Sequence, residues 1–554
     1  MPHVMSHLLE RLWDLPAPET RDLRTERGLR IPLPDGGELR ADLCYPRRRP
    51  AALPTMLLRS PYGRKGPLNE MSARVFAERG FEVLTVSSRG TFGSTGEFRP
   101  MHDDRTDGAA VLTWLREQRW FNGVLALGGA SYLGYTQWAL AVDNPPEVKA
   151  MAPHVTSSRL ALTFVEPGAT QLDTLLRWSA SVATQEEPWT LTRVAALVTE
   201  DERRLQRAMG TLPLKRADRV RLRRDWPFYQ ELLHHDSRDP YWKESDYSGA
   251  VAAVRVPAAF VAGWYDLFLA DQLRDFAAMR ESGTPARLTV GPWTHGSPGN
   301  LAAGLRETLE WAAAHCAERP PPDRAPVRLY VMGAEQWRDF DHWPPPDSTP
   351  APWFLHPGGG LRPEPPEPAD DAAGPTRYRY DPASPTPNVG GPLLHTGKAG
   401  RKDNRGLEAR PDVRTFTSAP LAAAVEVIGE VHADVWFRSS LDHTDVFVRL
   451  CDVDERGRSY NICDGVVAIA PQTTDRMADG TAGVRVRLTP TAHRFRRGHR
   501  IRVQVSSGAH PYFARNPGTG ADRADATVLR PADQEVFHDT GHPSAVVLPV
   551  QPTA

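Results

Sequence analysis

A short apolar run, Val124-Leu125-Ala126-Leu127, leads into Gly128-Gly129-Ala130-Ser131-Tyr132-Leu133-Gly134, and a helical pattern follows. Strand, glycine-flanked serine and helix in succession require a sharp turn at the serine. On such a turn the hydroxyl projects past the sheet edge with the next backbone N–H beside it, the arrangement a nucleophile and an oxyanion donor need. The spacing departs from Gly-x-Ser-x-Gly, because Leu133 stands two residues after Ser131 and the glycine arrives at Gly134. Gly123 to Val142 carries no charge and is long enough to imitate a membrane span. The double glycine, Gln137 and the two tyrosines fit a buried strand, a turn and a packed helix instead.

Alone, a glycine-flanked serine is usually an ordinary turn, so its partners matter. Val256 to Ala262 reads as a buried strand running into Gly263-Trp264-Tyr265-Asp266, and Leu288-Thr289-Val290 as another running into Gly291-Pro292-Trp293-Thr294-His295. Singly, Asp266 could be a helix N-cap before Leu267-Phe268-Leu269, and His295 one of 18 scattered histidines. Serine, acid and histidine in that order, each just past a strand, is the chain order of α/β-hydrolases. Parallel strands put their C-terminal ends at one sheet edge, where ligands bind. Three loops can therefore converge, and the joint catalytic reading is preferred.

These residues resemble the cocaine-esterase-like (CocE/NonD) serine hydrolases, relatives of the X-Pro dipeptidyl peptidases and the α-amino-acid ester hydrolases. The resemblance rests on Gly129 to Gly134, Gly263 to Asp266, Gly291 to His295, Ser60-Pro61-Tyr62, Arg89-Gly90-Thr91-Phe92 and Gly96-Glu97-Phe98, and continues through Asp381 to Pro385, Gly498-His499-Arg500 and Arg515-Asn516-Pro517. It covers the chain from about residue 24 onward, and the shifted glycine belongs to the family's pattern. It implies Ser131 as nucleophile, His295 as general base and Asp266 as the residue that orients the imidazole. It also implies an oxyanion hole formed by the Tyr62 phenol and the Tyr132 backbone N–H. Without the resemblance, Tyr62 would read as a turn tyrosine after a proline.

Composition fits a large enzyme of several domains: 554 residues, 40% hydrophobic. Lys plus Arg number 67 against 68 Asp plus Glu, leaving no electrostatic footprint for nucleic acid or an anionic membrane. Cys44, Cys316, Cys451 and Cys463 form no Cys-x-x-Cys pair, so no metal or redox motif is expected. Cys451 and Cys463 could face each other across a hairpin, with buried free thiols the favoured reading. Met1 to Glu10 lacks a secretory pattern, which makes a cytoplasmic enzyme the expectation. His102, Asp103 and Asp104 precede a helix and are expected to load its N-terminus with negative charge rather than bind metal.

Ile31 to Tyr45 reads as a hairpin around Pro34-Asp35-Gly36-Gly37. Runs at Thr55–Ser60 and Phe81–Ser87 alternate with helical stretches at Asn69–Arg79 and Asp107–Gln118, implying a parallel, helix-covered sheet. From Ser157 to Tyr247, helical spacing without strand-like runs reads as a cap inserted between serine and acid. The alternation resumes at Val251 and ends after Val327–Met332. Proline-dense stretches follow at Pro344–Pro352 and Pro363–Pro375, then short β-rich runs such as Val425–Ile428, Ala433–Phe437, Val446–Cys451, Val484–Leu488 and Ile501–Val505. These suggest an all-β sandwich, which the resemblance makes a jelly roll. The expected fold is thus an α/β-hydrolase domain (residues 1–156 and 251–350), a helical cap (157–250) and a C-terminal jelly-roll sandwich (351–554).

The functional expectation is a serine hydrolase that cleaves carboxylic esters or amides through an acyl-enzyme, without metal or organic cofactor. Its partner is a small-molecule substrate, with no nucleic acid or membrane partner; a homo-oligomer is an open option. Alternatives are an X-Pro dipeptidyl aminopeptidase, an α-amino-acid ester hydrolase or β-lactam acylase, and, outside enzymes, a carbohydrate-binding protein with a degenerate hydrolase domain. Phe268, Trp178 and Trp189 are candidate pocket walls. In the α-amino-acid ester hydrolases, acidic residues just after the catalytic acid help bind the substrate's ammonium group. The matching positions here are Leu267, Phe268 and Leu269, and Leu133 is apolar at the elbow position, so neutral acyl esters are the expected preference. Glu186 or Glu187 could still contribute a carboxylate.

Overall fold

The computed structural model describes residues 10–48, 53–165, 170–187, 202–235, 237–317, 319–320, 323–395 and 397–552. The chain divides into two compact units. The first comprises Met1–Thr163, Ser181–Pro188 and Pro240–Arg328, and the second Phe164–Ala180, Trp189–Asp239 and Leu329–Ala554.

In the first unit, β1 (Leu23–Pro32) and β2 (Glu38–Pro46) form the antiparallel hairpin expected around Pro34–Gly37, with a register shift between Arg27 and Leu29. The next strands are β3 (Thr55–Ser60), β4 (Glu82–Ser87), β5 (Leu125–Leu127), β6 (Val148–Met151), β7 (Ala258–Tyr265) and β8 (Ala286–Thr294). They lie in the order β1-β2-β4-β3-β5-β6-β7-β8; β2 pairs antiparallel with β4, and the pairs from β4 onward are parallel. The chain moves from β3 outward to β4, then returns past β3 to β5. That reversal makes the C-terminal ends of β3 and β5 the switch point at which an open α/β sheet opens a crevice for ligands. Helices α1 (Pro67–Ala77), α2 (Asp104–Arg116), α3 (Tyr132–Ala141), α4 (Leu269–Glu281) and α5 (Pro298–Cys316) cover the sheet. Strands β3, β4 and β7 are buried along their whole length, as strands covered on both faces must be. The uncharged stretch from Gly123 to Val142 becomes β5, a turn and α3; no helix among the described residues is long and apolar enough to cross a membrane.

Strands β7 and β8 run further than their apolar runs indicated, each ending at the residue before a functional candidate: Tyr265 before Asp266, and Thr294 before His295. Glycines that read as strand stops lie inside these strands because Trp293 packs closely against both. A Cβ on Gly263 would stand 2.4 Å from the Trp293 carbonyl oxygen, and one on Gly291 2.4 Å from the Trp293 ring. Between β6 and β7 the described residues contain helices and no strand, including Leu172–Thr184, Ala217–Leu222 and Pro227–His234.

The second unit is built largely of antiparallel strands. Expected runs appear as Val425–Gly429, His432–Ser439, Thr444–Val453, Ala482–Arg487 and Arg500–Ser506. Ala482–Arg487 alternates buried and exposed residues at every step, the signature of a sheet with one face on a core. The proline-dense stretch also contributes a strand: Thr349–His356 pairs with Ala545–Val550. Pro350 and Pro352 fall on the same side of that strand, and its other neighbour, Gly360–Arg362, pairs only with Phe354–His356. The row of absent N–H groups is therefore left without a ladder to break. The grouping of the chain passes from first unit to second between Arg328 and Leu329.

Cys451 opposes Asn461, while Cys463 opposes Leu450, because the register shifts between Leu450 and Cys451. All four cysteines are free thiols, and burial pushes the Cys451 and Cys463 thiols well above the usual range.

A buried guanidinium organises the same hairpin. Arg449 is fully buried and donates to Asp464 Oδ2 at 3.0 and 2.8 Å, the Val389 carbonyl at 2.6 Å, Asn404 Oδ1 at 2.9 Å and Asn388 Oδ1 at 2.8 Å. Every guanidinium N–H is used, tying the Asn388–Val389 loop and Asn404 to the strand pair. Arg449→Met should therefore lower the unfolding free energy by about 3 kcal/mol or more, because Asp464 would remain as an unpaired buried charge. Arg449→Met with Asp464→Leu should recover much of the loss, and denaturant titration of the three proteins reads both effects.

Candidate active site

Ser131 sits where β5 turns into α3, with φ 59° and ψ −123°, a conformation that costs a non-glycine residue energy and persists only when its surroundings hold it. The flanking glycines explain how it is held. A Cβ on Gly129, itself at φ 116°, would lie 2.5 Å from Leu133 Cβ, and a Cβ on Gly134 would lie 2.6 Å from Thr156 Cγ2. The later glycine thus lets the first turn of α3 press against the segment that follows β6. The Ser131 N–H donates to the His154 carbonyl at 2.9 Å, and the Thr156 hydroxyl donates to the Ser131 carbonyl at 2.8 Å.

The acid and the histidine arrive from the two longer strands. His295 Nε2 is 3.0 Å from Ser131 Oγ, and His295 Nδ1 is 2.8 Å from Asp266 Oδ2. Asp266 is buried at 1% exposure, and its other oxygen accepts the Phe268 N–H at 2.9 Å, so the carboxylate is fixed at both ends. The imidazole's loop is fixed as well, since Asn300 donates to the His295 carbonyl at 3.2 Å and the Trp293 ring nests against Gly291 and Gly299. Serine, imidazole and carboxylate form one continuous hydrogen-bonded chain. Such a chain can move a proton off the serine hydroxyl and stabilise the imidazolium that results.

Tyr62 follows β3 at the same sheet edge, half-buried against the core cluster that contains Leu133. Its loop is pinned on several sides. Ser60 Oγ accepts the Tyr62 N–H at 3.1 Å and Asn69 Nδ2 at 2.9 Å, and the Gln185 amide donates to the Pro61 carbonyl at 2.9 Å. The Tyr132 side chain turns away into the interior. Its hydroxyl donates to Asp104 Oδ2 at 2.7 Å and accepts the Met101 N–H at 2.8 Å, leaving its backbone N–H as the first of α3, beside Ser131. Burial pushes the Tyr132 phenol well above its ordinary range. Asp104 rises to about 6, chiefly through burial and against the pull of Arg59.

Of the candidate pocket walls, Phe268 packs edge-on against His295, with ring centroids 5.6 Å apart. Trp178 is instead a core residue of the second unit, stacked on Phe164 and edge-on to Phe228. A large aromatic side chain on an apolar helix face buries more area there than it would lining a pocket. Trp189 lies outside the described residues. Glu186 accepts the Phe92 N–H at 2.9 Å and is otherwise exposed. Leu267, Phe268 and Leu269 are all buried. The next acid along, Asp271, is bound by Arg159, Arg274, Ser157 and Thr163, and the two guanidinium groups with the Ser157 hydroxyl hold it below the usual carboxylate range despite its burial. No cluster of His, Cys, Asp and Glu among the described residues is arranged to hold a metal ion.

Sequence reasoning missed the residues that support the elbow. Gln137, noticed only as a polar residue in an apolar stretch, donates to the Gly129 and Ala152 carbonyls at 2.9 and 3.0 Å and accepts the Ala152 N–H at 2.8 Å. It joins the turn before Ser131 to the end of β6. A buried amide in an otherwise apolar helix was the signal available. His154, whose carbonyl receives the Ser131 N–H, is pressed by burial to about 3 and is neutral, with Nε2 3.1 Å from Thr308 Oγ1.

Residues 35–297 match the family model described as X-Pro dipeptidyl-peptidase (S15 family), and residues 322–547 match the X-Pro dipeptidyl-peptidase C-terminal non-catalytic domain. Cocaine esterase from Rhodococcus sp. (strain MB1 Bresler) is 32% identical over 94% of this chain and 97% of its own length. Among solved structures, an α-amino acid ester hydrolase superimposes with a TM-score of 0.81 at 22% identity, covering 97% of this chain and 98% of that one. An aminopeptidase from a marine Thaumarchaeota archaeon gives 0.79 at 21% identity, covering 96% and 97%. At such identities the structures speak for the fold alone: an α/β-hydrolase domain with a helical insertion and a C-terminal all-β domain. The sequence relationship to the esterase settles membership, and the chain is an enzyme of the cocaine-esterase-like family of serine hydrolases.

Proposed function

We propose that this enzyme hydrolyses neutral carboxylic esters through an acyl-enzyme, with Ser131 as nucleophile, His295 as general base and then acid, and Asp266 orienting the imidazole. The observation that carries the reading is the hydrogen-bonded chain from Ser131 Oγ through both ring nitrogens of His295 to the buried Asp266 carboxylate. His295 takes the serine proton as Oγ adds to the ester carbonyl, and returns it to the departing alcohol; water then repeats the sequence on the acyl-enzyme. The Tyr62 phenol and the Tyr132 backbone N–H are the proposed donors to the tetrahedral oxyanion, which appears only as the reaction proceeds and is best stabilised by donors already in place. The chemistry is assigned to the α/β part, residues 1–156 and 251–350, with 157–250 and 351–554 as the helical and β divisions. The enzyme is proposed to act in the cytoplasm.

A preference for neutral acyl groups follows from the surroundings of the acid and the histidine. Recognition of a substrate ammonium needs a paired carboxylate, because a buried unpaired charge is costly. Leu267, Phe268 and Leu269 supply none, and Asp271 is already committed to two arginines. Phe268 against the imidazole favours an aromatic or aliphatic acyl group.

Ser131→Ala should abolish ester hydrolysis and covalent labelling by a fluorophosphonate while leaving thermal unfolding unchanged; stoichiometric labelling of the variant would place the nucleophile elsewhere. Tyr62→Phe should lower kcat by about 10²–10³, the usual cost of one oxyanion donor; unchanged turnover at saturating substrate would make Tyr62 a loop residue only. Phenyl and benzoyl esters should exceed a glycyl-prolyl anilide and phenylglycine methyl ester in kcat/KM, and faster turnover of either amine-bearing substrate would overturn the neutral-acyl assignment.

A further inference from the structure

Beneath the elbow lies a buried polar group that the proton-transfer chain does not use. Asp104 opens α2 and is 5% exposed; Tyr132 and Arg59, at 2% and 5%, are its partners. The Tyr132 hydroxyl reaches Asp104 Oδ2, and Arg59 Nη2 donates to the Asp104 carbonyl at 2.6 Å and lies 3.5 Å from its Oδ1. Arg59 is the penultimate residue of β3, three before Tyr62, and its other nitrogen lies 3.5 Å from the Thr136 carbonyl of α3. Asp104 is therefore joined through its carboxylate to the residue whose N–H adjoins Ser131, and chiefly through its backbone carbonyl to the strand end that carries Tyr62.

We infer that Asp104 is a positioning residue for oxyanion stabilisation: through Tyr132 it fixes the backbone N–H next to Ser131, and through Arg59 it fixes the strand end leading to Tyr62. The inference rests on the acyl-enzyme reading above.

Two independent features support it. Met101 has φ 69°, an unusual conformation for its residue type, and in that conformation its N–H donates to the Tyr132 hydroxyl while its carbonyl accepts the Tyr135 hydroxyl at 3.0 Å. Strain of this kind concentrates where geometry matters to function. In addition, α2 carries a glycine in its interior, Gly108, and a Cβ there would stand 2.6 Å from Arg59 Nη1. The helix thus forgoes a better helix former to admit the guanidinium. A phenol donating to a carboxylate forms a charge-assisted bond, stronger and more directional than a neutral one. Anchoring the ring tip on a second helix removes the freedom of the first turn of α3 to rotate, and with it the freedom of the Tyr132 N–H to drift.

The test uses the full-length enzyme and its Tyr132→Phe, Asp104→Leu and Asp104→Asn variants with 4-nitrophenyl benzoate. An aryl boronic acid, which forms a tetrahedral adduct on serine, and the product benzoate serve as inhibitors. Tyr132→Phe and Asp104→Leu should each lower kcat about 10-fold or more, since small misplacements of catalytic groups are costly. Boronate affinity should fall by a matching factor with benzoate inhibition unchanged. Asp104→Asn keeps an acceptor for the phenol and should retain most of the activity. Wild-type kcat in both Tyr132→Phe and Asp104→Leu would overturn the inference, as would benzoate and boronate weakening together, which would signal general loosening of the site. Should Asp104→Leu not fold, Tyr132→Phe, which removes one oxygen, decides alone. Fluorophosphonate labelling of wild type and Ser131→Ala is run alongside. Labelling that survives in Ser131→Ala defeats the functional reading itself, whereas labelling lost there with wild-type kcat in both Tyr132→Phe and Asp104→Leu defeats only the role of Asp104.

Discussion

The positive φ of Ser131 is the constraint on which the site depends. A serine in that conformation relaxes unless both flanks forbid it, and the structure forbids it by close packing. Gly129 and Gly134 let Leu133 and Thr156 approach to distances no Cβ would tolerate, and Gln137 ties the turn to β6 by three hydrogen bonds. A buried amide so fully engaged is expensive to disturb, because each partner left behind would be unsatisfied away from water. The strain is local, and the support is distributed over β5, α3 and the chain after β6.

The same economy of close approach brings the other two loops to the serine. Trp293 lies in a niche bounded by Gly263, Gly291 and Gly299, so the strands bearing Asp266 and His295 are locked together immediately before the residues that matter. Asp266 is then held by a backbone N–H on one oxygen and the imidazole on the other. Phe268, whose N–H provides that backbone contact, also lays its ring against His295, so one residue helps fix the acid and shields the histidine.

Burial acts on the polar groups around this centre in opposite directions according to their partners. His154 has no charged partner to offset burial and is driven down to about 3, so it supports the Ser131 N–H as a neutral residue. Asp271 is equally buried but meets two guanidinium groups and stays below the usual carboxylate range. Asp104, with only Arg59 and a phenol to set against burial, is raised to about 6. In the second unit, Asp464 is raised by burial even against the direct contact of Arg449. Desolvation sets the sign wherever charge compensation is incomplete.

By itself the sequence determined the order and type of the elements around the site: an apolar run into a glycine-flanked serine, and two further apolar runs into Asp266 and His295. Those signals are local, since strand, turn and nucleophile lie within a few residues of one another. What only the tertiary structure decided is everything that depends on contact between distant segments. Strands β7 and β8 pass through glycines because Trp293 packs on them, and Thr349–His356 is a strand despite its prolines because Ala545–Val550 lies on the side that does not need their N–H groups. Trp178 joins the core of the second unit rather than a pocket, a choice between two apolar destinations that its composition cannot distinguish. Gln137 and Asp104 stood in plain view as a polar interruption and an acidic helix start. Their partners, the Ala152 backbone and the Tyr132 phenol, are 15 and 28 residues away, and only folding brings them within reach.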